Sequence, residues 1–255
     1  MSMVSIENPQ SHYSEEEWQA RVDLAACYQL AHLYGMAESI IYTHISARVP
    51  GPEEHFLLNP FGLMFDEVTA SNLVKVDLDG DVVDGGDYGI NPAGFVIHSC
   101  VHRENPEMTC VIHTHTVAGT GVSAQTDGLL PISQEAMTLH GKIAYHDYEG
   151  IALDQEEQQR LIADMGDCPI LILRNHGLLT AGRSVAEAFT LMYFLELACR
   201  TQIAAQAGGG VIALSDEIGN RVAGQISGGL GAGYGQREFA ALKRRLDRLG
   251  VVYAV

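Results

Sequence analysis

The sequence predicts a single α/β domain built on a largely antiparallel sheet. Three observations lead there. The chain has 255 residues, 47% of them apolar and 18% charged, which is the composition of one well-buried globule. Capping-box signatures at Ser14–Glu17, Asp154–Glu157 and Ser184–Glu187 open segments of helical character. Between them lie short β-rich runs bounded by Pro, Gly and Asp, one with an Asp-Gly centre suited to a hairpin.

The elements follow in order. After Ser14, the positions Trp18, Val22, Ala25, Ala26, Leu30 and Leu33 recur at helical spacing, so a long amphipathic helix is expected to end near Gly35. IIYTHISARV and HFLLN are strands separated by Pro50-Gly51-Pro52, and VKVDLDGDVVDG is a hairpin. Residues 93–103 are helical, 108–113 form a buried strand, and 116–124 start a helix behind a histidine pair. PISQEAM and Tyr145-His146-Asp147-Tyr148 are assigned to loops. A helix then runs to about 165, CPILILRN is a central strand, and HGLLTAG continues it past a turn. The helix opened by Ser184 runs to about Gln206. Residues 1–206 make up the domain; 207–255 form a tail with Gly208-Gly209-Gly210, the stretch SGGLGAGYGQ and a basic amphipathic helix, REFAALKRRLDRLG. With no preceding strand and no strict G-x-G-x-x-G, these glycines suit a linker rather than a phosphate cradle.

Composition also excludes functions. With 32 acidic and 15 basic side chains, the net charge of −17 opposes nucleic acid and anionic membranes as partners. The stretch MSMVSIENPQSHYSEEE shows no basic n-region followed by an apolar h-region, and no apolar run reaches membrane length, so neither a signal peptide nor a membrane span is expected. The five cysteines contain no C-x-x-C pair and suit buried thiols in a reducing compartment, so the expected location is cytoplasmic. Asp77-Leu78-Asp79-Gly80-Asp81 has a misplaced glycine and no closing Glu for a calcium loop, which leaves a hairpin turn.

Three of the eleven histidines fall where strands should end: His113, His115 and His176. Residues i and i+2 of a strand share a face, so the H-x-H imidazoles can converge on one ion. Alone, such a pair is more often an ordinary polar contact, and the remote NHG in an otherwise apolar strand raises the odds of a ligand set. A third histidine from another strand end would complete a set that leaves positions open for water or substrate, unlike the four-ligand closure of structural zinc.

The motifs V-I-H113-T-H115 and L-R-N175-H176-G177-L, about 60 residues apart, resemble those of the class II aldolase and adducin head-domain family. I-Y-T-H-I-S-A-R-V, L-N-P-F-G-L at 58–63 and S-V-A-E-A add to a resemblance that covers about residues 14–206. It implies a three-layer α/β/α fold with a central, mainly antiparallel sheet, and a homotetramer with active sites at subunit interfaces. It also implies that His113, His115 and His176 bind a divalent metal, zinc foremost, with manganese or iron as alternatives.

The sequence departs from the sugar-phosphate aldolases of that family. Their general-base glutamate, 19 residues before the first histidine ligand, corresponds to Gly94. Their phosphate-holding residues correspond to Thr43-His44 and Pro92-Ala93, which argues against a phosphorylated substrate. Their proton-donor tyrosine falls near Glu135, which could carry a proton instead. His98, one helical turn after Gly94, could take over acid–base work. His44, Arg48 and Asn59 are the candidate substrate-binding residues. A three-histidine metal can grip an oxo or hydroxy acid through two oxygens and stabilise an enolate. Decarboxylation needs no base to start, so it loses less than aldol cleavage does from a glycine at 94. The expected function is a metal-dependent carbon–carbon lyase acting on a small non-phosphorylated acid, oxo, hydroxy or hydroxyaromatic. The alternatives are a non-catalytic adducin-like oligomerisation or binding module, and an iron-loaded oxygenase on the same three histidines.

Overall fold

An eight-stranded sheet carries the molecule, with strands in the order β4-β3-β2-β1-β5-β8-β7-β6. They are β1 (His44–Arg48), β2 (Phe56–Leu58), β3 (Val74–Val76), β4 (Val82–Asp84), β5 (Cys110–Thr114), β6 (Ile143–His146), β7 (Ile170–Leu173) and β8 (Gly177–Gly182). Every neighbouring pair is antiparallel except β6 and β7, which are parallel. The computed structural model describes residues 9–151, 155–230 and 233–255. Its helices are α1 (Glu15–Leu33), α2 (Pro92–Glu104), α3 (Val117–Ser123), α4 (Gln134–Thr138), α5 (Gln155–Met165), α6 (Val185–Ala207), α7 (Asp216–Leu230) and α8 (Gln236–Leu249).

Strand alternation divides the core into the expected three layers. Ile45, Ala47, Ile112, Ile170, Ile172 and Leu178 face a cluster completed by α1 and α6, with Leu24, Leu30, Phe189 and Leu195. Val111, Leu171, Leu173 and Leu179 point the other way, onto Ile97 and Val101 of α2 and Leu161 and Met165 of α5. Phe239 and Leu246 of α8, together with Tyr253, belong to the first cluster. No described helix is long and apolar enough to cross a membrane.

Local signals explain most boundaries. Ser14 and Ser184 cap α1 and α6 by accepting from the backbone N–H three residues on, and Gly35, at φ 70°, follows the end of α1. The hairpin turn between β3 and β4 forms where expected: Asp77 accepts from the N–H groups of Asp79 and Asp81, and Gly80 takes φ 95°. Arg21, fully buried on α1, ties that helix to the sheet edge. Its guanidinium meets Glu17 at 3.0 Å, Asp84 at 3.0 Å and the Leu73 carbonyl at 2.9 Å.

Several expectations need correction. PISQEAM is not all loop, because Ser133 caps α4. Tyr145 and His146 lie in strand β6 rather than a loop. The CPILILRN strand, β7, is penultimate at the sheet edge and not central. The first β-run begins only at His44, residues 40–42 being turn. The tail contains a further helix, α7, packed on α4, with Gly219 against the His140 ring. The capping box expected at Asp154 lies outside the described residues.

Candidate metal centre

The central strand β5 ends at the site. His44 of β1 is the register partner of His113, so both imidazoles stand on the α2 face of the sheet. His115 follows two residues on. Asn175 supplies the third approach: it adopts φ 57°, a left-handed conformation that asparagine tolerates, and so turns the chain from β7 into β8 at His176. Its N–H donates to the Ser123 carbonyl, and Thr120 donates to the His176 carbonyl, fastening that turn to α3.

The three imidazoles converge. His115 Nε2 lies 2.7 Å from His113 Nε2 and 2.9 Å from His176 Nε2. Among the described residues this is the one His/Cys/Asp/Glu group arranged to hold a metal ion. His113 Nδ1 is 3.0 Å from the Leu178 carbonyl, which only accepts, so Nδ1 carries the proton and Nε2 presents its lone pair to the centre. Burial lowers all three pKa values, that of His176 to about 4, with the neighbouring imidazoles adding to the effect at His113 and His176. Uncharged imidazoles with inward lone pairs are the donor set a divalent cation requires, so the residues present fit the metal the fold suggests.

A buried carboxylate supports this arrangement from the other side of the sheet. Glu196 of α6 accepts from Thr114 and Thr116, which flank His115. Burial raises its pKa, with the Thr116 hydrogen bond opposing, and Arg200 stands 3.9 Å away. Sequence reasoning missed Glu196, although a lone carboxylate in the apolar run YFLELA was a visible signal.

The imidazoles open onto a cavity of about 420 Å³. Its walls are mainly apolar and aromatic, with Ile97, Ile151, Tyr42 and Tyr148 alongside Pro92 and His44, and among the described residues no lysine or arginine lines it. The first turn of α2 borders the cavity, yet Pro92 has no N–H and the Ala93 N–H is taken by the Asn91 side chain.

The other candidate residues separate. His44 lines the cavity; burial lowers its pKa to about 3 and keeps it neutral. His98 is fully buried behind it, with ring centroids 5.7 Å apart, and its Nδ1 meets Ser46 Oγ at 2.7 Å. Arg48 sits at the far end of β1, four residues or roughly 13 Å of strand from His44, bonded to the His102 carbonyl and facing Glu54. Asn59 is engaged with the Tyr28 hydroxyl, which lies 2.9 Å from its Oδ1. Glu135 occupies the first turn of α4 and does not line the cavity.

Comparison with known proteins adds to this geometry. The family model for the Class II Aldolase and Adducin N-terminal domain matches residues 22–203. A Pseudomonas aeruginosa protein provisionally named an aldolase class 2 protein is 51% identical over 244 residues, covering 94% of this chain and 93% of that one. Alpha-adducin of Rattus norvegicus is 46% identical over 93% of this chain, which spans 34% of that longer protein. The crystal structure of an aldolase II superfamily protein from Pseudomonas syringae superposes with a TM-score of 0.91 at 52% identity, covering 96% of this chain and 99% of the other.

Proposed function

The chain belongs to the class II aldolase and adducin family, and from that premise we propose that it is a divalent-metal-dependent carbon–carbon lyase acting on a non-phosphorylated oxo, hydroxy or hydroxyaromatic acid. The observation that carries this reading is the convergence of three uncharged imidazoles at an apolar cavity without a cationic side chain among the described residues. His113, His115 and His176 would hold the ion, zinc foremost. When bound, it supplies Lewis-acid polarisation of substrate oxygens.

The chain's own groups do the remaining work. Covered by a neighbouring subunit, the apolar walls would exclude water from an organic acid's body and strengthen electrostatic contacts inside. The N-terminal end of α2 turns its positive dipole towards the cavity, which favours a carboxylate. A dianionic phosphate is poorly served, since no lysine or arginine among the described residues lines the cavity to balance its second charge and the α2 terminus offers it few free N–H groups. Gly94 has no side chain to abstract a proton, which favours decarboxylation over base-initiated cleavage. Exposed Tyr42, Val117, Tyr148 and Ile151 supply apolar surface for the neighbouring subunit of a homotetramer, at 57, 78, 55 and 74% exposure.

The test is metal analysis of the purified protein, then a screen of oxo, hydroxy and hydroxyaromatic acids for release of carbon dioxide or aldehyde. Metal uptake with turnover of one such acid is the expected result. No metal uptake, with His113→Ala indistinguishable from wild type, would overturn the reading. That outcome would leave the second reading, a binding module without catalysis, which the 46% identity to alpha-adducin favours. Micromolar binding of a sugar phosphate would contradict the substrate class.

A further inference from the structure

The absence of a side chain at position 94 is a steric requirement of the cavity as well as a missing functional group. A Cβ added to Gly94 would lie 2.5 Å from His44 Cδ2, 2.6 Å from Cγ and 2.6 Å from Nε2. Carbon contacts of that length do not occur, so any side chain at 94 must push the imidazole away. The ring has little room to retreat into the protein, which leaves the cavity as its way out. It is 4% exposed, with the His98 ring 5.7 Å away and the His113 ring 6.0 Å away. His98 cannot yield easily either, because Ser46 Oγ lies 2.7 Å from both His98 Nδ1 and His102 Nε2, donating to one ring and accepting from the N–H of the other. Gly94 sits in the first turns of α2 at ordinary helical geometry, where alanine would favour the helix. Glycine therefore answers to the ring above it and not to backbone conformation.

The His44 ring has no hydrogen-bond partner among the described residues, and it lines the cavity. A polar ring held at the edge of an otherwise apolar wall offers an N–H to one oxygen of a bound acid.

We propose that Gly94 and His44 act as one specificity-determining unit: Gly94 is a notch that seats the His44 imidazole, and the seated imidazole donates to a carboxylate or hydroxyl oxygen of the substrate beside the three-histidine centre. Gly94 is thus a positioning residue that acts through His44. The inference rests on the lyase reading for the identity of the ligand, whereas the steric coupling stands on the apo protein alone.

Two measurements test it. In the first, ¹⁵N-histidine NMR of the metal-free protein follows the His44 ring, assigned by its loss in His44→Ala, in wild type and Gly94→Ala. A displaced His44 signal with the other histidines little changed is expected; an unmoved signal overturns the coupling. In the second, the zinc-loaded proteins are titrated calorimetrically with 2-hydroxybenzoate. Gly94→Ala and His44→Ala should each weaken binding by about 10- to 100-fold, the scale of one hydrogen bond to a charged group, with zinc stoichiometry unchanged. The double variant should match His44→Ala, because removing the ring makes room for the new Cβ. Additive losses, or wild-type affinity in Gly94→Ala, overturn the unit. The double variant also guards against misfolding of the single one: a His44→Ala background that rescues Gly94→Ala melting supports the clash. Failure of wild type to take up zinc would sink the lyase reading and the substrate role, and the NMR result would still decide the coupling.

Discussion

His102 offers a sharp test of how burial controls this protein's response to acid. It is fully buried on α2; its Nε2 lies 2.7 Å from Ser46 Oγ and its ring 4.9 Å from that of Phe56. Burial first, and Arg48 second, lower its pKa from 6.5 to about 3. In the unfolded chain the imidazole titrates near 6.5, so below that pH the unfolded state holds a proton that the folded state refuses. Stability should fall as pH drops through the window between 6.5 and about 3, and His102 should add nothing to the slope above 6.5. Inside the window each pH unit is worth ~1.4 kcal/mol, so lowering the pH from about 8 to about 4.5 costs roughly 2.7 kcal/mol through this one side chain. Urea unfolding of wild type and His102→Gln, with EDTA present to remove metal linkage, provides the comparison. Whatever the variant does to absolute stability, wild type should be steeper by about 1.4 kcal/mol per pH unit between roughly pH 5.5 and 4.5, and parallel to it above pH 7. Curves parallel throughout would show that His102 titrates alike in both states, and the reasoning from burial would be refuted.

Other outcomes follow from the same geometry. His115→Ala should weaken zinc binding by more than the 10- to 100-fold typical of losing an outer hydrogen-bond partner, measured by competition with a chelator; an aggregated or unfolded variant would assign the ion a structural role. Glu196→Ala should cost about 2–4 kcal/mol by leaving the hydroxyls of Thr114 and Thr116 without their acceptor, whereas Glu196→Gln should stay within about 1 kcal/mol of wild type; equal losses would show that charge, not acceptance, matters there. Arg21→Met should lower unfolding free energy by about 1–3 kcal/mol, since the Leu73 carbonyl and Glu17 lose a buried donor while Lys75 still pairs Glu17 and Asp84 is partly exposed, and an unchanged stability would show that water replaces the guanidinium.

The legible parts of the fold were those whose signal is local. Ser14 and Ser184 marked helix starts because a hydroxyl three residues before a free N–H is a short-range event. The apolar run ending in His113-Thr114-His115 marked β5, and NHG marked the turn into β8, so the three-histidine cluster could be anticipated. β6 escaped because Ile143, Ala144 and Tyr145 are half-buried in a short edge strand paired on one side. Arg48 and Asn59 were placed near the site by proximity to its motifs, but their destinations depend on what packs above them: a carbonyl of α2 for one, Tyr28 of α1 for the other. Gly94 was visible as a missing base. Its closeness to His44 was not, because the two residues are fifty positions apart and meet through the packing of α2 on β1.

The position of β5 in the sheet sets how the centre should behave over time. His113 is paired to His44 on one side and to Leu179 on the other, within the interior strands of the sheet. Amides in such a place exchange with solvent through global opening, not local fraying. Hydrogen–deuterium exchange should therefore rank His113 among the slowest amides, with or without an ion. The His113 imidazole is therefore held in place by the lifetime of the whole fold, so the frame of the three-histidine cluster should persist at neutral pH whether or not an ion occupies it.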